Sequence, residues 1–229
     1  MILNDTTLTN EEGTKFNFDD PAVAETIQRF ADLINVYHVA PSPAQEKSLP
    51  APAVALQSKK IAMDWDGQWV LLDLGAAKTN FDVGVLPKMK RSTTTLYGEL
   101  EVMFQGTKHP KEAFGLLKWM TNPDAVLDLH SSGLWMPALK KYYTEPEEIN
   151  KWATVKPGHS DGYVDSVMNQ ALNDSVPDIQ YKLKNATKIL SIISPALDQV
   201  WLGKKTAEQA LKEIEPKAAP ELKGVYTGE

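Results

Sequence analysis

Ile61-Ala62-Met63-Asp64-Trp65-Asp66-Gly67-Gln68-Trp69 packs two indoles and two carboxylates into nine residues. Ile61–Met63 predicts a short buried strand, and Asp66-Gly67 a turn into a helix over residues 68–76. Ligands of α/β proteins gather at such places, beyond strand ends and beside helix N-termini. The residue types suit a sugar: a pyranose stacks its apolar C–H face on an indole and donates its hydroxyls to carboxylates. Two readings stay open at this point. Asp64, Trp65, Asp66 and Trp69 form part of a carbohydrate site, or Asp66 caps the helix while the tryptophans fill core.

Upstream, Asp19-Asp20-Pro21 is a helix start, a carboxylate cap followed by proline at the first helical position. Val23, Ile27, Phe30, Ala31 and Ile34 then recur at helical spacing, predicting a helix over 21–37. Residues 1–15 read as a polar arm or loop, and the prolines at 41, 43, 50 and 52 as an extended surface loop. A further one or two helical turns are expected at 53–58.

Downstream, Phe81–Leu86 alternates and is closed by Pro87, which predicts a strand, as does Leu96–Phe104. The second half is mostly helical. A helix is expected from Pro110 to Met120, with Ala113, Phe114, Leu116, Leu117 and Met120 on its inner face. Others are expected from Asn122 to Ser131, at 138–143, 146–153 and 160–172, and from Asn185 to Leu202, where Pro195 must kink the helix or start a new segment. Gly203 closes that helix and Thr206 caps the last one. Trp119, Trp152 and Trp201 are expected in core.

Composition narrows the classes. With 30 acidic against 24 basic residues the net charge is -6, and no Lys/Arg run occurs. Nucleic-acid binding is therefore not expected, because phosphate recognition needs a basic face. The chain has no cysteine, so disulfides, thiol catalysis and cysteine-based zinc sites are excluded. The four histidines, His38, His109, His130 and His159, never fall at metal-ligand spacing and read as surface or cap residues. No phosphate-binding glycine loop and no nucleophile elbow is present, so neither a cofactor nor a catalytic residue is expected. The rival readings are a glycoside-acting enzyme using Asp64 and Asp66, a purely structural interaction module, and a binding protein for a non-sugar solute.

The order Phe18-Asp19-Asp20-Pro21, Gln57-Ser58-Lys59-Lys60-Ile61-Ala62-Met63, Asp66-Gly67-Gln68-Trp69 and Phe81-Asp82-Val83-Gly84-Val85-Leu86-Pro87 resembles extracellular solute-binding proteins of sugar ABC transporters, the relatives of maltose-binding protein. The likeness continues in His109-Pro110-Lys111-Glu112-Ala113-Phe114, in Ser132-Gly133-Leu134-Trp135-Met136-Pro137 and in Trp201–Leu211. It runs from about residue 14 to the tail. The resemblance implies an α/β, type II periplasmic-binding-protein-like fold of two lobes, present incompletely. Residues 1–80 and 131–229 would belong to the C-terminal lobe, and 81–130 to a hinge strand and an excursion into the N-terminal lobe. It implies a carbohydrate ligand bound between lobes, a membrane permease as partner, and an exported or lipid-anchored parent whose signal lies outside this chain. It also implies a truncated fragment, prone to associate with itself through surface exposed by the truncation. Carried over by motif, the ligand-binding residues are Trp69, Trp65, Asp64, Asp66, Trp135 and Glu99, the last standing where relatives often have glycine.

Overall fold

A computed structural model describes residues 1–98, 101–178 and 181–227. In chain order its helices are α1 (Pro21–Asn35), α2 (Pro43–Glu46), α3 (Pro52–Gln57), α4 (Val70–Ala76), α5 (Pro110–Met120), α6 (Leu127–Ser131), α7 (Lys141–Thr144), α8 (Pro146–Asn150), α9 (Asn169–Asn173), α10 (Ala186–Trp201) and α11 (Ala207–Ala218). A π-helical turn, Val164–Met168, precedes α9. Two strands, β1 (Thr94–Leu96) and β2 (Ser175–Pro177), pair in parallel with Thr94 opposite Ser175. The chain divides into two compact units that interleave along the sequence. One is Met1–Ser48, Pro87–Leu96 and Ser175–Glu229; the other is Leu49–Leu86 and Tyr97–Asp174. The boundary at 86/87 falls at the proline that closes the 81–86 segment, while 80/81 and 130/131 lie inside the second unit.

The first unit is built on α1, α10 and α11. Asp20 caps α1 by accepting from the Ala22 N–H at 2.9 Å, and Pro21 pre-sets the first turn. Val23, Ile27 and Ala31, four residues apart, are buried against Ile189, Ile193 and Val200 of α10 and Ala210, Leu211 and Ile214 of α11. Each fully buried branched aliphatic contributes about 1.5–3 kcal/mol. Thr206 and Gln209 form a reciprocal capping box at the start of α11, and Gly203 takes the left-handed conformation (φ 67°) that ends α10. Pro195 sits inside α10 without ending it.

Residues 1–15 form a packed loop rather than a polar arm. Leu3, Asn4, Thr6 and Thr9 are buried, and the Asn4 amide donates to the Ala22 carbonyl and to Glu25 at 3.0 Å each. Thr6 donates to Asp20 at 2.6 Å. Phe16 and Phe18 stack at 4.4 Å in the core of this unit. Polar side chains that reach buried carbonyls satisfy them, so a polar segment packs where composition alone suggests a free one.

The second unit packs around Trp152, which is fully buried and donates its indole N–H to the Tyr142 carbonyl at 2.9 Å. Tyr163 and His159 meet its ring edge-to-face, with centroids 5.8 and 5.6 Å away. Leu71 and Leu74 of α4, Ala53 of α3 and Met168 complete the core. His130 and His159 are buried here, contrary to the surface or cap role expected of them. His38 and His109 are exposed. An imidazole whose faces pack on aromatics behaves as a small aromatic, which spacing along the chain does not reveal.

Several strand and core expectations are corrected. Ile61–Met63 is not a strand, and Met63 is 87% exposed. Phe81–Leu86 forms no ladder: side chains hold it instead, with Ser166 donating to the Val83 carbonyl and the Leu86 N–H donating to Gln170, both at 3.3 Å. Of the predicted strand at 96–104, β1 reaches Leu96, residues 97, 98 and 101–104 are irregular, and 99 and 100 lie outside the described residues. Helix α5 forms as expected but buries none of its residues; Phe114, Leu116 and Trp119 are more than half exposed. Apolar periodicity states which face of a helix seeks cover, and not that anything covers it. Trp152 is core, Trp201 is partly buried against the first unit's core, and Trp119 is exposed.

Candidate functional site

The second unit carries the aromatic turn. The Asp66 carboxylate accepts from its neighbour's Gly67 N–H at 2.6 Å. Successive bonds from Val70 to the Gly67 carbonyl (3.2 Å) and from Leu71 to the Gln68 carbonyl (2.9 Å) then wind the chain into α4. Trp69 occupies the cap position of α4, so Asp66 organises the turn without capping the helix. Leu71 and Leu74, one turn further, enter the core and fix α4 in place.

Tyr163 anchors the turn from below. It is fully buried, and its hydroxyl donates to Oε1 of Gln68 at 2.6 Å. Burial pushes its phenol well above the ordinary range, so the proton stays on as donor. With that oxygen engaged, the Gln68 amide nitrogen is left buried and without a partner. Above the turn, Trp65 and Trp69 each expose about half of their surface, at 48% and 51%. Tyr97, also half exposed, meets Trp69 nearly edge-on, with ring centroids 6.2 Å apart at 76°. Sequence reading missed Tyr97 and Tyr163, which lie 28 and 94 residues from Trp69 and show no local pattern linking them to it.

Asp64 is raised above the usual carboxylate pKa, first by partial burial and then by the charge of Asp66. Two carboxylates beside exposed aromatic rings are hydroxyl acceptors next to stacking surfaces. Trp135 is 38% exposed, and its carbonyl accepts from Nδ1 of buried His130 at 3.0 Å. A carbonyl only accepts, so the proton sits on Nδ1. The loop that carries Trp135 packs on α4 through Gly133, whose φ of 91° and 2.6 Å approach of a virtual Cβ to the Leu71 Cβ leave no room for a side chain. Trp69, Trp65, Asp64, Asp66 and Trp135 therefore all stand in one unit, the first four at the start of α4 and Trp135 two residues beyond the glycine that packs on it. Glu99 lies outside the described residues.

A polar cleft of about 490 Å³ lies elsewhere in the same unit, lined by Thr79, Asp82, Lys156 and Asp161 among others. Its charged groups are already engaged. Lys156 and Asp161 pair at 2.8 Å, and Asp82 accepts from the Val83 and Gly162 N–H groups. The Ser160 side chain first, then those two N–H groups, hold the Asp82 carboxyl below its usual range. Among the described residues no cluster of three or more His, Asp or Glu side chains is placed to hold a metal ion, and no helix is long and apolar enough to cross a membrane.

The family described as bacterial extracellular solute-binding protein matches residues 2–157. No curated protein matches the sequence significantly. Among solved structures, an ABC substrate-binding protein of Listeria monocytogenes in complex with cycloalternan is 21% identical, with a TM-score of 0.77, over 96% of this chain and 54% of its own. An ABC transporter solute-binding protein of Thermotoga lettingae bound with alpha-D-tagatose is 18% identical, with a TM-score of 0.74, over 96% and 54%. A maltose-bound MalE3 of T. maritima is 19% identical, with a TM-score of 0.71, over 95% and 54%. The chain thus spans about half the length of the structures it matches, and its fold is part of the two-lobe, type II binding-protein fold. The family and these relatives are binding proteins rather than enzymes.

Proposed function

Because the chain belongs to the bacterial extracellular solute-binding protein family, we propose that it is the carbohydrate-binding component of an ABC importer. The observation that carries this reading is the anchored turn at the start of α4, which presents Trp65, Trp69 and Tyr97 half exposed beside Asp64 and Asp66. A pyranose lays its apolar face on the indole of Trp69 and donates hydroxyls to the two carboxylates, with Trp135 as a further wall. Relatives named for cycloalternan, maltose and tagatose support the ligand class.

The mechanism is capture without chemistry. A ligand that touches both lobes of the complete fold only when they are closed shifts the open–closed equilibrium toward closure by its differential affinity. The closed form is then recognised by a membrane permease. The reading places the working protein outside the cytoplasmic membrane, in the periplasm or held at the cell surface by a lipid anchor.

The test is a thermal-shift screen of maltose, maltotetraose, cycloalternan and tagatose on the protein expressed from its complete reading frame. Binding stabilises by RT ln(1 + [L]/Kd), so a sugar at about 100 Kd adds about 2.7 kcal/mol and visibly raises Tm. Trp69→Ala should reduce that shift, leaving weaker binding that titration still reads. If no carbohydrate shifts the protein, the sugar assignment falls.

A further inference from the structure

The Trp69 indole lies folded back onto its own turn. A Cβ added to Gly67 would stand 2.2 Å from Cη2, 2.3 Å from Cζ3 and 2.4 Å from Cζ2 of that ring. Carbon atoms in contact sit about 3.5–4.0 Å apart, so any residue but glycine drives the ring outward by more than about 1 Å. The backbone does not demand glycine here, because the positive-φ glycines are Gly13, Gly133, Gly203 and Gly224, not Gly67. The missing side chain serves a close approach, and what approaches is the exposed indole.

Resting on the sugar-binding reading above, we infer that Gly67 is a positioning residue for ligand stacking: it seats the Trp69 indole on the turn and so builds the stacking platform before ligand arrives. The rest of the turn agrees with a preformed platform. Asp66 pins the Gly67 N–H, Tyr163 holds Gln68 from the core side, and Tyr97 meets the seated ring at 76°. A ligand arriving at an indole already held in place does not spend binding free energy on ordering it. The fold is indifferent to the seat. The ring is half exposed and is the far end of a side chain free to rotate into solvent, so displacing it opens no core cavity.

The experiment titrates maltose, maltotetraose, cycloalternan and tagatose into the protein from its complete reading frame, its Gly67→Ala and Trp69→Ala variants, and the double variant. Gly67→Ala is expected to weaken the best-bound sugar at least tenfold while Tm stays within about 2 °C of the parent. In the Trp69→Ala background the same change should have no further effect, because the glycine acts only through the indole. Unchanged affinity in Gly67→Ala, or an undiminished loss in the Trp69→Ala background, overturns the inference. If none of the sugars binds the parent, the sugar-binding reading falls by itself, and the seat is then judged by NMR. The Trp69 indole N–H signal, assigned by its disappearance in Trp69→Ala, should move in Gly67→Ala; an unmoved signal overturns the inference.

Discussion

Acid should loosen the second unit through His159. Its ring is 1% exposed and packs against Tyr163 at 4.2 Å and Trp152 at 5.6 Å. The carbonyls of Val155, Ser131 and Trp152 face the ring, yet neither ring nitrogen makes a well-formed hydrogen bond. Burial outweighs those carbonyls and brings the pKa from 6.5 down to about 4. The folded state therefore holds His159 neutral while the unfolded chain takes up a proton below about pH 6.5. Stability from this group is fully present above pH 6.5 and is lost as pH falls through the folded pKa near 4. At 1.36 kcal/mol per pKa unit the full loss amounts to about 3 kcal/mol. Urea unfolding followed by tryptophan fluorescence reads this unit, since five of the six tryptophans lie in it. Between pH 7 and pH 4.5 the parent should lose about 2 kcal/mol more than His159→Phe, which keeps the aromatic packing and cannot titrate. His130, also lowered by burial, and the depressed carboxylates titrate alike in both proteins and cancel in the difference. Parallel pH profiles for parent and variant would refute the reasoning.

Other outcomes are open to measurement. Trp152→Ala removes the centre of the second core and its bond to Tyr142, and should cost about 3–5 kcal/mol in urea unfolding, with loss of the near-ultraviolet dichroism of the packed aromatics. Asp20→Ala removes the α1 cap together with the acceptor for Thr6, which predicts a loss of about 1–2 kcal/mol centred on the first unit, read by hydrogen exchange of the α1 amides. Gly133→Ala forces a Cβ to within 2.6 Å of the Leu71 Cβ at φ 91°, so Tm should fall by several degrees, more than for Gly67→Ala. Nitrophenyl glycosides should remain intact with the protein; hydrolysis abolished by Asp64→Asn would restore the enzyme reading.

Elements whose ends are written in side-chain chemistry were legible in the sequence. Asp20-Pro21 starts α1, Thr206 with Gln209 starts α11, and Gly203 ends α10, because each motif satisfies backbone groups within a few residues of itself. The aromatic turn at 64–69 was legible for the same reason: its composition is local, and so is the bond from Gly67 to Asp66. Segments that depend on distant partners were not. Phe81–Leu86 alternates like a strand, but whether it joins a ladder depends on Ser166 and Gln170, some 80 residues away. The polar start of the chain packs because Asn4 and Thr6 meet α1 and its cap, and buried His159 is defined by the aromatics that fold around it.

By itself, then, the sequence determined the helices with strong caps, the exclusion of cysteine chemistry, the family likeness, and the concentration of indoles and carboxylates at residues 64–69. Only the tertiary structure decided which face of each element is covered. It exposed Trp69 and Trp119 and buried Trp152. It brought Tyr97 to the edge of Trp69 and Tyr163 beneath Gln68. The physical reason is that capping and turn formation act over a few residues, whereas burial and ring-on-ring contact depend on what long-range packing places opposite each side chain.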